Sequence, residues 1–368
     1  MHHQVIKPQN LRIRMISNQL KLILFIVLIT LNIGVTPSDL LAQGMRMTPT
    51  SANDIWPKTM DSANYNEYWN YQMYFDNGMS LYIIFSVSDF GRLKSSVSGI
   101  RVSMYGLDEN AYHINREYPI EDLHLGKADF DFDINPRQDN IWFKGKLPES
   151  HEIYINTQKH GHRFKIHLNL SNIQPGFMPN NGEYMIDDHR VGMATHIPYA
   201  RVTGTTGIND DVREVKGVAY MDHTWQYQNS SKKLQSGYRF IKHIDAANWE
   251  TIYFMEADVK QGRPYIGYRL SSKNGKVRMD EIAAVGNSNP KDIESATYTI
   301  NFADQEYVTL TSHKIQDRTS IFADLNWFTK NIMKTVLGGE IMDTRGTTTF
   351  NVTGNPPQIG YFNQFSLK

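Results

Sequence analysis

The stretch YWNYQMYFDNGMSLYIIFSVSD, residues 68–89, decides the fold. Its second half alternates, with Met79, Leu81, Ile83, Phe85 and Val87 on one side. Side chains on a strand point alternately to opposite faces, so this run presents one apolar face to a core. An aromatic run, YWNYQMYF, precedes it, and Asn77-Gly78 lies between the two. Asn-Gly between alternating runs is the strongest short signal for a β-hairpin.

The pattern recurs along the chain. FKIHLNLSNI (164–173) sets Phe164, Ile166, Leu168 and Leu170 against Lys165, His167, Asn169 and Ser171. TYTINF (297–302) and YVTLTS (307–312) repeat it, and Asn274-Gly275 joins YIGYRLSS to KVRMDEI. Many short antiparallel strands with turns at this spacing predict a sandwich or barrel. GYRFIKHIDAANWETIYFMEAD (237–258) echoes residues 68–89, each an aromatic strand ending in Asp, a tight turn and a second aromatic strand. That repeat divides the chain near residue 196, after the loop-rich NIQPGFMPNNGEYMIDDHR. The expected units are a leader (1–44), a first β unit (45–195) and a second (196–368). DLNWFTKNIMKTVLGG (324–339) adds one amphipathic helix, with Leu325, Phe328, Ile332, Met333, Val336 and Leu337 at helical spacing. Asp324 serves as its N-cap and Gly338 as its left-handed stop.

The composition narrows the function. The 368 residues carry 38 acidic and 38 basic side chains, which leaves no electrostatic footprint for nucleic acid. No cysteine is present, which excludes disulfides, thiolate nucleophiles and thiolate metal sites. Lys7, Arg12, Arg14 and Lys21 precede LILFIVLITLNIGV (22–35), too short a run for the roughly 20 residues of a spanning helix. With small residues from Ala42 to Gly44, it predicts a cleaved signal peptide, with initiation at Met1 or Met15. The expected address is periplasmic or secreted. No nucleotide-binding loop occurs. His160, His162 and His167 flank Gly161 in what reads as an exposed hairpin turn rather than a zinc site. No cofactor and no metal are expected.

Chemistry concentrates in GVAYMDHTWQ (217–226), where Asp222, His223 and Trp225 fall within four positions. Around it, Pro198, Val202, Gly204, Gly217, Tyr220, Asp222, His223 and Trp225 spell Pro-x-x-x-Val-x-Gly, a spacer, and Gly-x-x-Tyr-x-Asp-His-x-Trp. This resembles the central signature of the carotenoid 1,2-hydratase (hydroxyneurosporene synthase) and AttH family. EYWNYQMYFDNG (67–78) is similar to that family's first-domain opening. The resemblance spans residues 65 to about 365, and its central motif is the specific part. It implies two tandem lipocalin-like (calycin) antiparallel β-barrels, which agrees with the hairpins and the repeat. It also implies action on carbon–carbon double bonds, since the family hydrates isoprenoid and isoflavonoid substrates and related proteins fold polyenes.

Alkene hydration needs a proton delivered to carbon, a stabilised cation and an activated water. A carboxyl group held protonated by burial can donate, an indole face can steady the cation, and imidazole can take the water's proton. The expected roles are His223 as base, Trp225 as cation stabiliser, Asp222 as orienter, and Tyr253 or Glu256 as proton source. Trp69, Glu67 and Tyr220 join Trp225 as expected substrate-binding residues, although a Trp and acid in an opening strand also suit a barrel plug. In a regular strand His223 and Trp225 share one face and Asp222 takes the other. The family's Tyr-x-Asp is missing from ETIYFMEAD (250–258), where Tyr253 and Glu256 lie on opposite faces. The expected partner is a hydrophobic small molecule, with peripheral membrane contact and no nucleic acid or nucleotide. A non-catalytic periplasmic carrier of a hydrophobic ligand is the other function open to this sequence.

Overall fold

The computed structural model describes residues 45–368 except 90, 92–94, 127–129, 135–138, 228–232, 260–263, 290–291, 324–329, 332–333, 335–338, 353 and 368. The leader expected over residues 1–44 lies outside the described residues. The rest is built from antiparallel strands. The first sheet takes β1 (Met47–Pro49), β2 (Asn66–Phe75), β3 (Ser80–Ser88), β4 (Val97–Tyr105), β5 (Tyr112–Pro119), β6 (Leu123–Gly126), β7 (Phe130–Ile134), β8 (Asn140–Gly145), β9 (His151–Lys159), β10 (His162–Ser171), β11 (Phe177–Pro179), β12 (Glu183–Ile186), β13 (His189–Ile208) and β14 (Asp211–Gln226). Its main path runs β5-β4-β3-β2-β14-β13-β10-β9-β8-β7-β6. A closed barrel follows, made of β15 (Leu234–Asp245), β16 (Asn248–Ala257), β17 (Tyr265–Lys273), β18 (Lys276–Asn287), β19 (Tyr298–Phe302), β20 (Tyr307–Ser320), β21 (Ile341–Asn351) and β22 (Gln358–Leu367).

Local chemistry explains the hairpins. Asn274 and Gly275 both take positive φ, 52° and 77°, as a two-residue turn of this hand requires. At Asn77-Gly78 the glycine supplies a φ of 85°, and Phe75 N–H bonds Met79 C=O across the turn at 2.9 Å. The first sheet is nearly closed, with β5 at one end of the path reaching back to the end of β9. Arg116 on β5 donates to Gln158 C=O at 2.7 Å, and Lys159 on β9 donates to Asn115 C=O at 2.6 Å.

Two expectations need correction. The sequence reading changed units near residue 196, but β13 and β14 belong to the first sheet, and the change falls between Gln226 and Leu234. The reason is pairing: β13 joins β10, β14 joins β2, and together they carry the sheet round towards closure. The amphipathic helix over 324–338 is not seen as an element, and most of that stretch lies outside the described residues.

Alternation sorts the side chains into two interiors and a seam between them. Trp69, Tyr71, Phe85, Phe132, Phe143 and Met221 pack inside the first sheet. Phe240, Ile252, Phe254, Ile300, Leu310 and Phe362 fill the closed barrel. The outer face of the first sheet meets the barrel through Tyr74 stacked on Tyr361 and Tyr105 O–H donating to Asp317 at 2.6 Å.

Candidate functional site

β14 pairs with β2 in a register that sets Asp222 opposite Asn70, His223 opposite Trp69 and Trp225 opposite Glu67. As alternation predicts, neighbours on β14 part company. His223 turns into the first sheet. Its ring stacks on Trp69 at 4.7 Å and lies 5.0 Å from Trp225. His223 Nε2 meets Glu67 Oε1 at 2.6 Å, with both side chains fully buried. Glu67 also accepts from the Lys58 N–H, the Thr59 N–H and the Thr59 hydroxyl, so its oxygens are all used. With Glu67 accepting, the hydrogen-bond pattern assigns the proton to His223 Nε2, and Nδ1 faces His196 Nε2 at 3.4 Å. Burial and then the neighbouring His223 hold His196 well below the usual imidazole range. Trp69 donates to Ile55 C=O at 2.8 Å, and Trp225 donates to Glu183 at 3.3 Å. Trp225 lies flat over Gly192, where any Cβ would stand 1.8 Å from the indole.

Asp222 turns the other way, into the seam. It accepts from Asn70 Nδ2 at 2.9 Å and from Arg239 of β15 through Nε at 2.5 Å and Nη2 at 2.9 Å. Arg239 sits opposite Tyr253 in the β15–β16 hairpin and donates to its phenol oxygen at 2.9 Å. Tyr253 in turn lies 2.5 Å from the Thr224 hydroxyl, and Thr224 lies 3.4 Å from Asp222 Oδ1. Because Arg239 is donor-only and Asp222 is acceptor-only, the chain can run from Tyr253 O–H through Thr224 O–H to the carboxylate. Burial pushes the Tyr253 phenol well up, with the Arg239 charge opposing.

Beside this network lies a cavity of about 430 Å³. Its floor is the outer face of the first sheet, including Asn66, Tyr68, Asn70, Ser86, Arg101 and Thr224. Its roof comes from the closed barrel and its connections, including Arg239, Tyr253, Met255, Phe322 and Phe365. The described lining includes Tyr253 but not Glu67, Trp69, Tyr220, Asp222, His223, Trp225 or Glu256. Tyr220 is buried, and Glu256 accepts from Ser236 at 2.7 Å on the opposite side of β16. The candidate residues are therefore divided among three places. His223, Trp225, Trp69 and Glu67 lie in or against the first sheet, Asp222 and Tyr253 in the seam, and Glu256 on the barrel side of its strand. Arg239, Thr224 and Asn70 were not anticipated. Arg239 was visible as a charge between Tyr238 and Phe240, but its partner on β14 was not. Among the described residues no group of three or more His, Cys, Asp or Glu is placed to hold a metal.

The chain matches no protein-family model and no curated protein. Solved structures do match it. A candidate AttH protein of Nitrosomonas europaea aligns at TM-score 0.57 and 12% identity, covering 87% of this chain and 98% of the other. CghA with Sch210972 aligns at 0.59 and 12%, covering 88% and 94%. Kievitone hydratase from Nectria haematococca aligns at 0.55 and 10%, covering 87% and 96%. The chain thus shares one fold with AttH, CghA and kievitone hydratase, the group that its central motif resembles.

Proposed function

We propose that this chain is an exported hydratase-like protein that binds an apolar, unsaturated molecule in the seam cavity and adds water to, or rearranges, a C=C bond. One observation carries the reading: Tyr253 lines the cavity while its phenol oxygen is held by Arg239 and Thr224. Tyr253 O–H turns from Thr224 to give its proton to one alkene carbon, whose new C–H bond takes the π pair. Arg239 Nη2 stabilises the phenolate that remains, and Asp222 holds the guanidinium from behind. The adjacent carbon carries the positive charge, beside the aromatic rings of Tyr68, Phe322 and Phe365 in the cavity wall. Water adds there, and its proton returns to Tyr253. A conjugated bond suits this donor, because a delocalised cation asks less of the acid. In this reading Tyr253 replaces His223 as the group that handles protons, and His223 with Glu67 braces β14. Export rests on residues 1–44.

Native mass spectrometry of the protein from its own cells, wild type beside Tyr253→Phe, tests the reading. A ligand that differs between the two by one water, or by an isomerisation seen in its absorption spectrum, supports it. The same unchanged ligand in both would make the protein a carrier.

A further inference from the structure

Arg101 of β4 forms part of the cavity wall and is 9% exposed. Its Nη2 lies 3.3 Å from Asp343 of β21, and its Nη1 is buried with no hydrogen-bond partner. Asp343 is already engaged. Arg345 donates to it through Nε at 3.1 Å and again through Nη2, and Asn363 donates at 2.7 Å. Two buried guanidiniums thus share one carboxylate. The next acid, Asp317, accepts from Tyr105 at 2.6 Å and from Thr319 at 2.8 Å, and faces His113 at 3.6 Å. A buried cation with an unused donor costs free energy unless an anion meets it.

Register places this cation relative to the proposed proton donor. Asp222, Asn70, Ile84 and Arg101 stand opposite one another on β14, β2, β3 and β4. Three strand spacings, roughly 14 Å, separate the Arg101 backbone from that of Asp222, which holds Arg239 and through it Tyr253. We infer that the ligand of the seam cavity is an unsaturated carboxylic acid, with its carboxylate received by Arg101 and its reacting double bond at the distant Tyr253 end. The inference rests on the cavity reading above and narrows it, since a bare hydrocarbon would leave Arg101 as it stands.

The test is calorimetric titration of the full chain with three matched probes: oleate, oleyl alcohol and 1-octadecene. Oleate is expected to bind at least about tenfold more tightly than the alcohol. Arg101→Gln should bring the two to parity without weakening the alcohol, and Arg101→Lys should restore most of the preference. Equal binding of acid and alcohol by the wild type overturns the carboxylate inference and leaves the cavity reading intact. So does an acid preference that survives Arg101→Gln. If no probe binds, both fall together. The wild-type ratio decides alone if Arg101→Gln does not fold.

Discussion

Asp222 and Arg239 meet across the seam in a two-point ion pair, at 2.5 and 2.9 Å, with side chains 0% and 5% exposed. One comes from the last strand of the first sheet and the other from the first strand of the closed barrel, so the motif aspartate joins the two. Removing one partner of a buried pair strands the other charge. Asp222→Asn should therefore cost about 3–5 kcal/mol of stability, read as a lower midpoint in denaturant unfolding. Asp222→Leu combined with Arg239→Met should recover much of that loss. A single variant as stable as wild type would show that the pair does not hold the seam.

Thr224 offers a sharper view of how the Tyr253 phenol is held. Thr224→Ser keeps the hydroxyl between Tyr253 and Asp222, and Thr224→Val removes it at similar volume. On whatever substrate co-purifies, Thr224→Val should lower kcat by about 10–100-fold with KM little changed, and Thr224→Ser should stay near wild type. Equal rates in both variants would show that Thr224 does not position Tyr253.

Gly192→Ala tests the bed on which Trp225 lies. The added methyl would stand 1.8 Å from the indole and 2.1 Å from its nitrogen, so the ring has to move. Overpacking of this kind costs about 1–3 kcal/mol. Differential scanning calorimetry should show a lower Tm, and near-ultraviolet circular dichroism an altered tryptophan band.

His223→Ala should act on stability rather than on ligand binding. It leaves the buried Glu67 carboxylate without the imidazole at 2.6 Å, a loss of about 3–5 kcal/mol. Affinity for a ligand in the seam cavity should stay within about twofold of wild type at temperatures where the variant is folded, because His223 is not in the lining. A large loss of affinity would return His223 to the ligand site.

Acid should destabilise the first sheet through His151. Burial lowers its imidazole from 6.5 to about 3, and Tyr71 O–H lies 2.8 Å from its Nε2. Between those values the unfolded chain binds a proton that the folded chain refuses, so stability falls as pH drops from about 6.5 towards 3. Below about 3 both states are protonated and this contribution levels off. His151→Gln keeps a polar partner for Tyr71 without titrating. It should lose less Tm than wild type between pH 7 and pH 5, measured by thermal melts in matched buffers.

Period-two alternation and the Asn-Gly turns announced antiparallel sheet, and the strands follow them closely from Asn66 to Ser88 and from Tyr265 to Asn287. The opposition of His223 and Asp222 was legible for the same reason, since neighbours on a strand cannot share a face. The separation of Tyr253 from Glu256 was legible too. The sheet boundary was not, because it is set by the pairing of β13 with β10 and of β14 with β2, which no local pattern shows.

The sequence by itself determined what is local: strand, turn, the face each side chain takes, and the motif that marks the fold. Only the tertiary structure decided which faces meet. Asp222 and Arg239 are 17 residues apart, and Glu67 and His223 are 156 apart. Nothing in either spacing shows that one pair closes a seam and the other fills a core. Those partners are set by how two curved sheets bury their apolar faces. The cavity between them, floored by one sheet and roofed by the other, exists only once both have formed.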